Sequence, residues 1–264
     1  MFEHKDKVGF QNFWTIWRKH LTLLVGGANG KLLCPVKDEI SFHAIENGYV
    51  ASPQWPICFR AIPHKGNSSG AHKLAVFING SFRFERVGDE PEARLIEIHS
   101  NVAFFKIRPK PQGGFVLTLA DAYHFDHFVE DPVTSAPHPV FHAQRNIRPD
   151  EVLAQFRSTL NSDPLNNMEV EDIQQAQKDA LFGLKSFRLP TPQLDLFSLS
   201  AIIAADHLVE KCSHDSSTYK SFKDFLKLLK ANKPSLTNVR HKRDVSADAA
   251  RADNRFIWQW YSPH

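Results

Sequence analysis

Apolar residues at Phe10, Phe13, Trp14, Trp17, Leu21 and Leu24 return at helical spacing, with Arg18 and Lys19 off the stripe. A stripe of that period predicts an amphipathic helix that lays one face on a core. Its aromatic weight makes it an anchor, either for the chain's own core or for a partner. The next stretch, Gly26-Gly27-Ala28-Asn29-Gly30-Lys31-Leu32, has the look of a phosphate-binding loop but not its chemistry. The glycine spacing is one residue short, Leu32 stands where a magnesium-binding hydroxyl is needed, and a helix rather than a strand precedes it. It reads as the turn that ends the first helix.

From residue 32 to 62 the pattern is of short strands broken by Pro35, Pro53 and Pro56, and Lys65–Gly70 is a loop. Alternation then becomes clear. Leu74–Ile78 and Ser81–Glu85 flank Asn79-Gly80, a pair favoured in two-residue type I′ turns, and this predicts a hairpin. That register sets Phe77 opposite Phe82 and Ala75 opposite Phe84 on a buried face, with Arg83 and Glu85 beside Val76 and Leu74 on the other. Ala93–His99, Val102–Arg108 and Phe115–Leu119 are further strands, the last after the turn-rich Pro109–Gly114. The expectation is an antiparallel meander of about five or six strands.

Beyond residue 146 the period changes to that of helices. Arg148-Pro149-Asp150-Glu151 opens one with Val152, Leu153, Phe156 and Leu160 inward. Glu169–Leu184 predicts a second, with acids in its first turn. Thr191-Pro192 reads as the cap of a third, over about residues 193–212, apolar around most of its circumference through Leu196, Phe197, Leu199, Ile202, Ile203, Leu208 and Val209. Asp206 and His207 read as a hydrogen-bonded edge of its core face. A fourth helix, Thr218–Ala231, sets Phe222, Phe225, Leu226 and Leu229 against Lys220, Lys223, Lys227 and Lys230, and Pro234 stops it. Asp244–Arg255 is small and polar. Phe256–Tyr261 alternates like a last strand docking on the sheet, or offers an aromatic hook to a partner. The fold class expected is α+β, with an N-terminal helix and antiparallel sheet in 1–146 and a helical part in 147–264. The short junction Asn146–Pro149 favours a shared interface between the two parts.

Composition changes this picture in two places. The 264 residues are 42% hydrophobic and 23% charged, ordinary for a globular chain, and no apolar run is long enough to span a membrane. The net charge of +3 is modest, but residues 216–243 hold eight Lys/Arg against Asp224 alone, so that segment carries +7 and the rest −4. Its second cluster is Arg240-His241-Lys242-Arg243. A positive excess so concentrated points to phosphate contact, and Lys220, Lys223, Lys227, Lys230, Arg240, Lys242 and Arg243 are the candidate nucleic-acid-binding residues. Three cysteines, Cys34, Cys58 and Cys212, lack metal-type spacing and read as reduced thiols, hence a cytoplasmic location; the N-terminus lacks the pattern of a signal peptide.

The second concentration is Tyr123–Gln144, which holds four of the chain's fourteen histidines. In extended chain His124 and Asp126 share a face, as do His138, Val140, His142 and Gln144. If the two segments pair, His124, Asp126, His138 and His142 converge, and Asp131 and His99 are placed to complete the group. Imidazoles with a carboxylate suit a divalent metal, for which His124, Asp126 and His142 are the candidate ligands. They equally suit metal-free acid–base catalysis. Gln144 would orient a phosphate or a water. No HExxH and no cysteine-pair site is present. Glu97-Ile98-His99 after Asp89 approximates a nuclease motif, but histidine replaces its lysine.

Tyr123-His124-Phe125-Asp126, His138-Pro139-Val140-Phe141-His142 and Phe187-Arg188-Leu189-Pro190-Thr191-Pro192 together resemble a series found in uncharacterised bacterial protein families, some linked to toxin–antitoxin or phage-defence gene sets. The resemblance covers about a quarter of the chain and assigns no catalytic residue. It implies a bacterial component of such a system. Three readings follow: a nucleic-acid or partner-binding protein acting through 216–243; a hydrolase, a nuclease among the options, centred on 124–142; and an interaction subunit whose aromatic ends, Phe10–Trp17 and Phe256–Tyr261, contact a partner.

Overall fold

A computed structural model of the chain describes residues 4–27, 31–33, 40–54, 56–63, 73–86, 93–128, 141–145, 154, 168–170, 188–190, 195–209 and 213–231. The chain is α+β: an N-terminal helix, a large sheet and C-terminal helices. Helix α1 (His4–Gly27) follows the predicted stripe, and all six of its residues are buried, with Val25 joining them.

The sheet is built around three long strands, β5 (Lys73–Arg86), β6 (Ala93–Pro109) and β7 (Phe115–Phe128), each antiparallel to the next. Before them come β1 (Lys31–Leu33), β2 (Ile40–Ile45), β3 (Gly48–Pro53) and β4 (Ile57–Pro63), the short strands that the prolines foretell. After them come β8 (Phe141–Arg145), β9 (Met168–Val170) and β10 (Arg188–Pro190). The order is β1-β4-β5-β6-β7-β8-β10. The β2–β3 hairpin pairs with the second half of β5, and β9 runs parallel to the start of β7. Two strands from beyond residue 146 thus join the sheet of the first part.

The predicted hairpin at Asn79-Gly80 does not form. β5 runs straight through it, with Asn79 opposite Asn101 and Gly80 opposite Ser100. The apolar alternation Leu74, Val76, Ile78, Phe82, Phe84 continues without a break, and these residues face one core. Phe77 therefore lies on the other face, with Ala75, and Arg83 and Glu85 follow on that same face rather than beside Val76 and Leu74. Long-range pairing with β6 overrides the local turn preference. The glycine serves close approach instead. A Cβ at Gly80 would stand 2.7 Å from the His99 carbonyl oxygen and 3.4 Å from Leu196 Cβ, where the next helix crosses the sheet. The breaks expected between His99 and Val102 and after Leu119 are likewise absent. The turn that does form between β6 and β7 is the predicted one, closed by Gly113 N donating to Lys110 O at 3.1 Å, with positive φ at Gly113 and Gly114.

Helix α2 (Leu196–Ala204) continues into a π turn, Ala205–Val209. Its cap is Asp195 rather than Thr191: Asp195 Oδ1 accepts from Phe197 N at 2.9 Å. Ile202, expected inside, is exposed. His207 lies beside the Phe104 ring, with centroids 6.3 Å apart, and Asp206 is exposed, so the two do not share one core edge as the sequence suggests. Helix α3 (Ser217–Ala231) is capped by Ser216, whose Oγ accepts from Tyr219 N at 3.1 Å. Phe225 is fully buried, Phe222 and Leu228 pack beside it, and Leu226 is 41% exposed, so the inner face is rotated from the one predicted. The helix expected from Glu169 begins one residue inside β9, so Glu169 is a strand residue; 171–184 and the helix at 148–160 lie outside the described residues.

Helices α1, α2 and α3 cover one face of the sheet. Phe197 of α2 stands where α1 meets the sheet, with ring centroids 4.8 Å from Phe13, 5.1 Å from Trp17 and 5.5 Å from Phe82. On the opposite face Cys58, Ala75, Phe77, Ala103, Phe105, Leu117 and Ala122 form a second buried cluster. Cys58 is there as a buried thiol; Cys34 and Cys212 lie outside the described residues. Among the described residues no helix is long and apolar enough to cross a membrane.

Candidate functional site

The second cluster fills one end of its sheet face, and the other end is polar. Strand alternation puts Asn79, Ser81, Arg83 and Glu85 of β5 there, followed by Glu97, His99 and Asn101 of β6. The pairing that the sequence reading made conditional does occur: β7 and β8 are antiparallel neighbours, with His124 opposite Gln144 and Asp126 opposite His142. On the other side of β7, Asn101 is opposite His124 and His99 is opposite Asp126.

Opposite residues of an antiparallel pair share a face, so two parallel rows cross the sheet. One runs Ser81, His99, Asp126, His142, Pro190 and the other Asn79, Asn101, His124, Gln144, Arg188. With strands about 4.8 Å apart, the His99 and His142 positions stand about 10 Å apart with Asp126 between them. His124 lies one pleat repeat away, about 6.8 Å along the strand.

The described side chains add a charged relay at the β5–β6 end. His99 Nε2 donates to Glu97 Oε1. Glu97 Oε2 accepts from Arg83 Nη1 at 3.4 Å, and Arg83 Nε donates to Glu85 Oε1 at 2.7 Å. The His99 hydrogen bond, helped by the charges of His99 and Arg83, holds the Glu97 carboxyl below its ordinary range against the burial that would raise it. Glu97 is largely covered, whereas the His99 side chain is 37% exposed, so the imidazole bonded to Glu97 still reaches the surface. His124 is partly buried.

Of the candidate residues, His124, Asp126 and His142 are thus brought onto adjacent strands. His138, Asp131 and the side chains of Asp126, His142 and Gln144 lie outside the described residues. Among the described residues no three His, Cys, Asp or Glu side chains form a metal-binding group. What spacing did not bring into the candidate set is Arg83 and Glu97, and His99 entered only as an accessory. The signal was present in Glu97-Ile98-His99. At period two an acid and a histidine share a strand face, which makes them partners regardless of any nuclease motif.

The basic segment sits elsewhere. Lys220, Lys223 and Lys227 are exposed on α3. Lys223 Nζ lies 5.0 Å from the Tyr219 ring, and Lys227 Nζ is 3.0 Å from Asp224 Oδ1. The Lys230 side chain and Arg240, Lys242 and Arg243 lie outside the described residues. Phe225 ties α3 to the core on the helix-covered face, and the histidine rows are on the other face. The two features are separated by the thickness of the sheet, so they do not line a single pocket. Phe10, Phe13, Trp14 and Trp17, offered as a partner surface, are buried in the chain's own core, and Phe256–Tyr261 lies outside the described residues. Compared with known proteins, the chain matches no family model, no curated protein and no solved structure.

Proposed function

We propose that the chain is a hydrolase whose reactive centre is the cross-strand row at His99, Asp126 and His142, with His124 beside it. The observation that carries this is the register, which sets a carboxylate position between two imidazole positions on three consecutive strands. Imidazoles titrate near neutral pH, and a carboxylate between them stabilises the charged form, so the group suits activation of water. The test is turnover on a panel of phosphodiester, phosphomonoester and carboxylic ester substrates. The wild type turns over at least one class, and D126N and H142A lower that rate by about 10²-fold or more with the melting temperature preserved. No turnover on any class, or equal rates in the variants, overturns the reading.

A second reading has its own support. The outward lysines of α3 and the basic residues that follow favour a polyanion such as nucleic acid, as does the resemblance to families linked to bacterial defence. Since α3 and the row occupy opposite faces, this would be a separate contact and not the substrate cradle of the centre. Replacing Lys223, Lys227 and Lys230 by Glu should abolish salt-dependent nucleic-acid binding while leaving hydrolysis unchanged. Binding that persists in the triple variant rules it out.

A further inference from the structure

We propose that the row holds a divalent transition-metal ion, with His99, Asp126 and His142 as its protein ligands and Glu97 as the carboxylate that orients His99. The proposal rests on the hydrolytic reading for its purpose, but its ligand set is argued and tested separately.

Three observations choose these residues over the set that spacing suggests, His124 with Asp126 and His142. First, His99, Asp126 and His142 are consecutive members of one cross-strand row, on β6, β7 and β8 in turn, whereas His124 belongs to the neighbouring row. A metal held at about 2.0–2.2 Å by imidazole nitrogen and carboxylate oxygen can be reached from a central short side chain and two flanking longer ones. Aspartate is the short chain, and it is central. Second, the neighbours of His124 across the strands are the amide positions Asn101 and Gln144, which suit hydrogen bonding to a bound group better than charge neutralisation. Third, His99 already has the outer partner that ligating histidines carry. Its Nε2 is bonded to Glu97, and Glu97 is held in turn by Arg83. A carboxylate behind an imidazole fixes its tautomer and ring orientation and raises its basicity as a ligand.

Two imidazoles and one carboxylate are a donor set for zinc, iron(II), manganese or cobalt, and three protein ligands leave coordination positions for water. A bound cation there would lower the pKa of that water and supply the nucleophile that hydrolysis needs. Asn101, His124 and Gln144 would line the next row, where a substrate's polar group would rest. The sheet face keeps its apolar end, from Phe77 to Phe105, on the other side of the row.

The test is titration of the full chain, stripped with chelator, with Co²⁺ followed by visible absorption and with Zn²⁺ by calorimetry. The wild type binds about one equivalent. H99A and H142A lose that binding, E97Q binds about 10–100-fold more weakly, and H124A binds as the wild type does. Thermal melts in chelator check that each variant folds, and His99 is exposed enough for H99A to be tolerated. A wild type that binds neither ion overturns the proposal, and so does H99A binding as tightly as the wild type. The outcomes separate it from the hydrolytic reading. Absent metal with turnover lost in H142A leaves a metal-free acid–base centre. Metal lost in H99A with no turnover in the wild type leaves the site and removes the enzyme.

Discussion

Phe197→Ala tests the packing that positions the sheet. Phe197 is almost wholly buried, and its ring lies 4.8–6.2 Å from those of Phe10, Phe13, Trp14, Trp17 and Phe82. It touches the aromatic stripe of α1 and the helix-facing side of β5 together. Truncation removes the transfer free energy of a buried phenyl group, about 1.5–3 kcal/mol. It also opens a cavity walled by large rings that cannot collapse inward, which brings the expected cost to about 3–5 kcal/mol. Leu at this position keeps most of the apolar volume and should cost roughly 1–2 kcal/mol. Urea unfolding followed by tryptophan fluorescence is the assay, since Trp14 and Trp17 border the lost ring. At about 2–4 °C per kcal/mol for a chain of this size, the melting temperature should fall by roughly 6–20 °C. A loss below about 1 kcal/mol, the scale of a surface change, would mean that Phe197 does not join the helices to the sheet.

Other consequences are equally direct. Gly80→Ala should cost about 1–3 kcal/mol, because the new methyl meets the fixed His99 carbonyl oxygen at 2.7 Å; a change within about 0.5 kcal/mol would contradict this close approach of the β6 backbone. On α3, Phe225→Ala should cost about 3–5 kcal/mol and Leu226→Lys under about 0.5, and the reverse order would restore the face read from the sequence. In chelator, Glu97 should give an acid-sensitive increment of stability. Its folded carboxyl sits below the ordinary 4.5, so the unfolded chain binds the extra proton first. The increment is therefore present above that value and is lost as pH falls through the folded pKa. Stability of E97Q should lack this step, and parallel pH curves for the two proteins would rule the relay out.

The first helix was legible because its signal is local. The stripe from Phe10 to Leu24 is a period, and any core that accepts the helix accepts that face. Asn79-Gly80 was misread for the complementary reason. Turn preference is also local, but strand length is set by the partner strand, and fourteen residues of β5 find matching partners along β6. Alternation gave the shared faces of His124 with Asp126 and of His142 with Gln144, but their pairing stayed conditional in the sequence, because only the β7–β8 register brings the two segments together. His99 lay outside the main set because no spacing links it to Asp126. They are twenty-seven positions apart and become neighbours only through the β6–β7 register. The inner face of α3 turned because Phe222, Phe225 and Leu226 are all apolar, and packing against α1 decides which of them goes inside.

Elemental analysis of the full chain, purified without chelator or histidine tag, tests the central claim most directly. The account predicts about one transition-metal equivalent per chain in the wild type and none in H142A. A wild type as metal-free as H142A would contradict it.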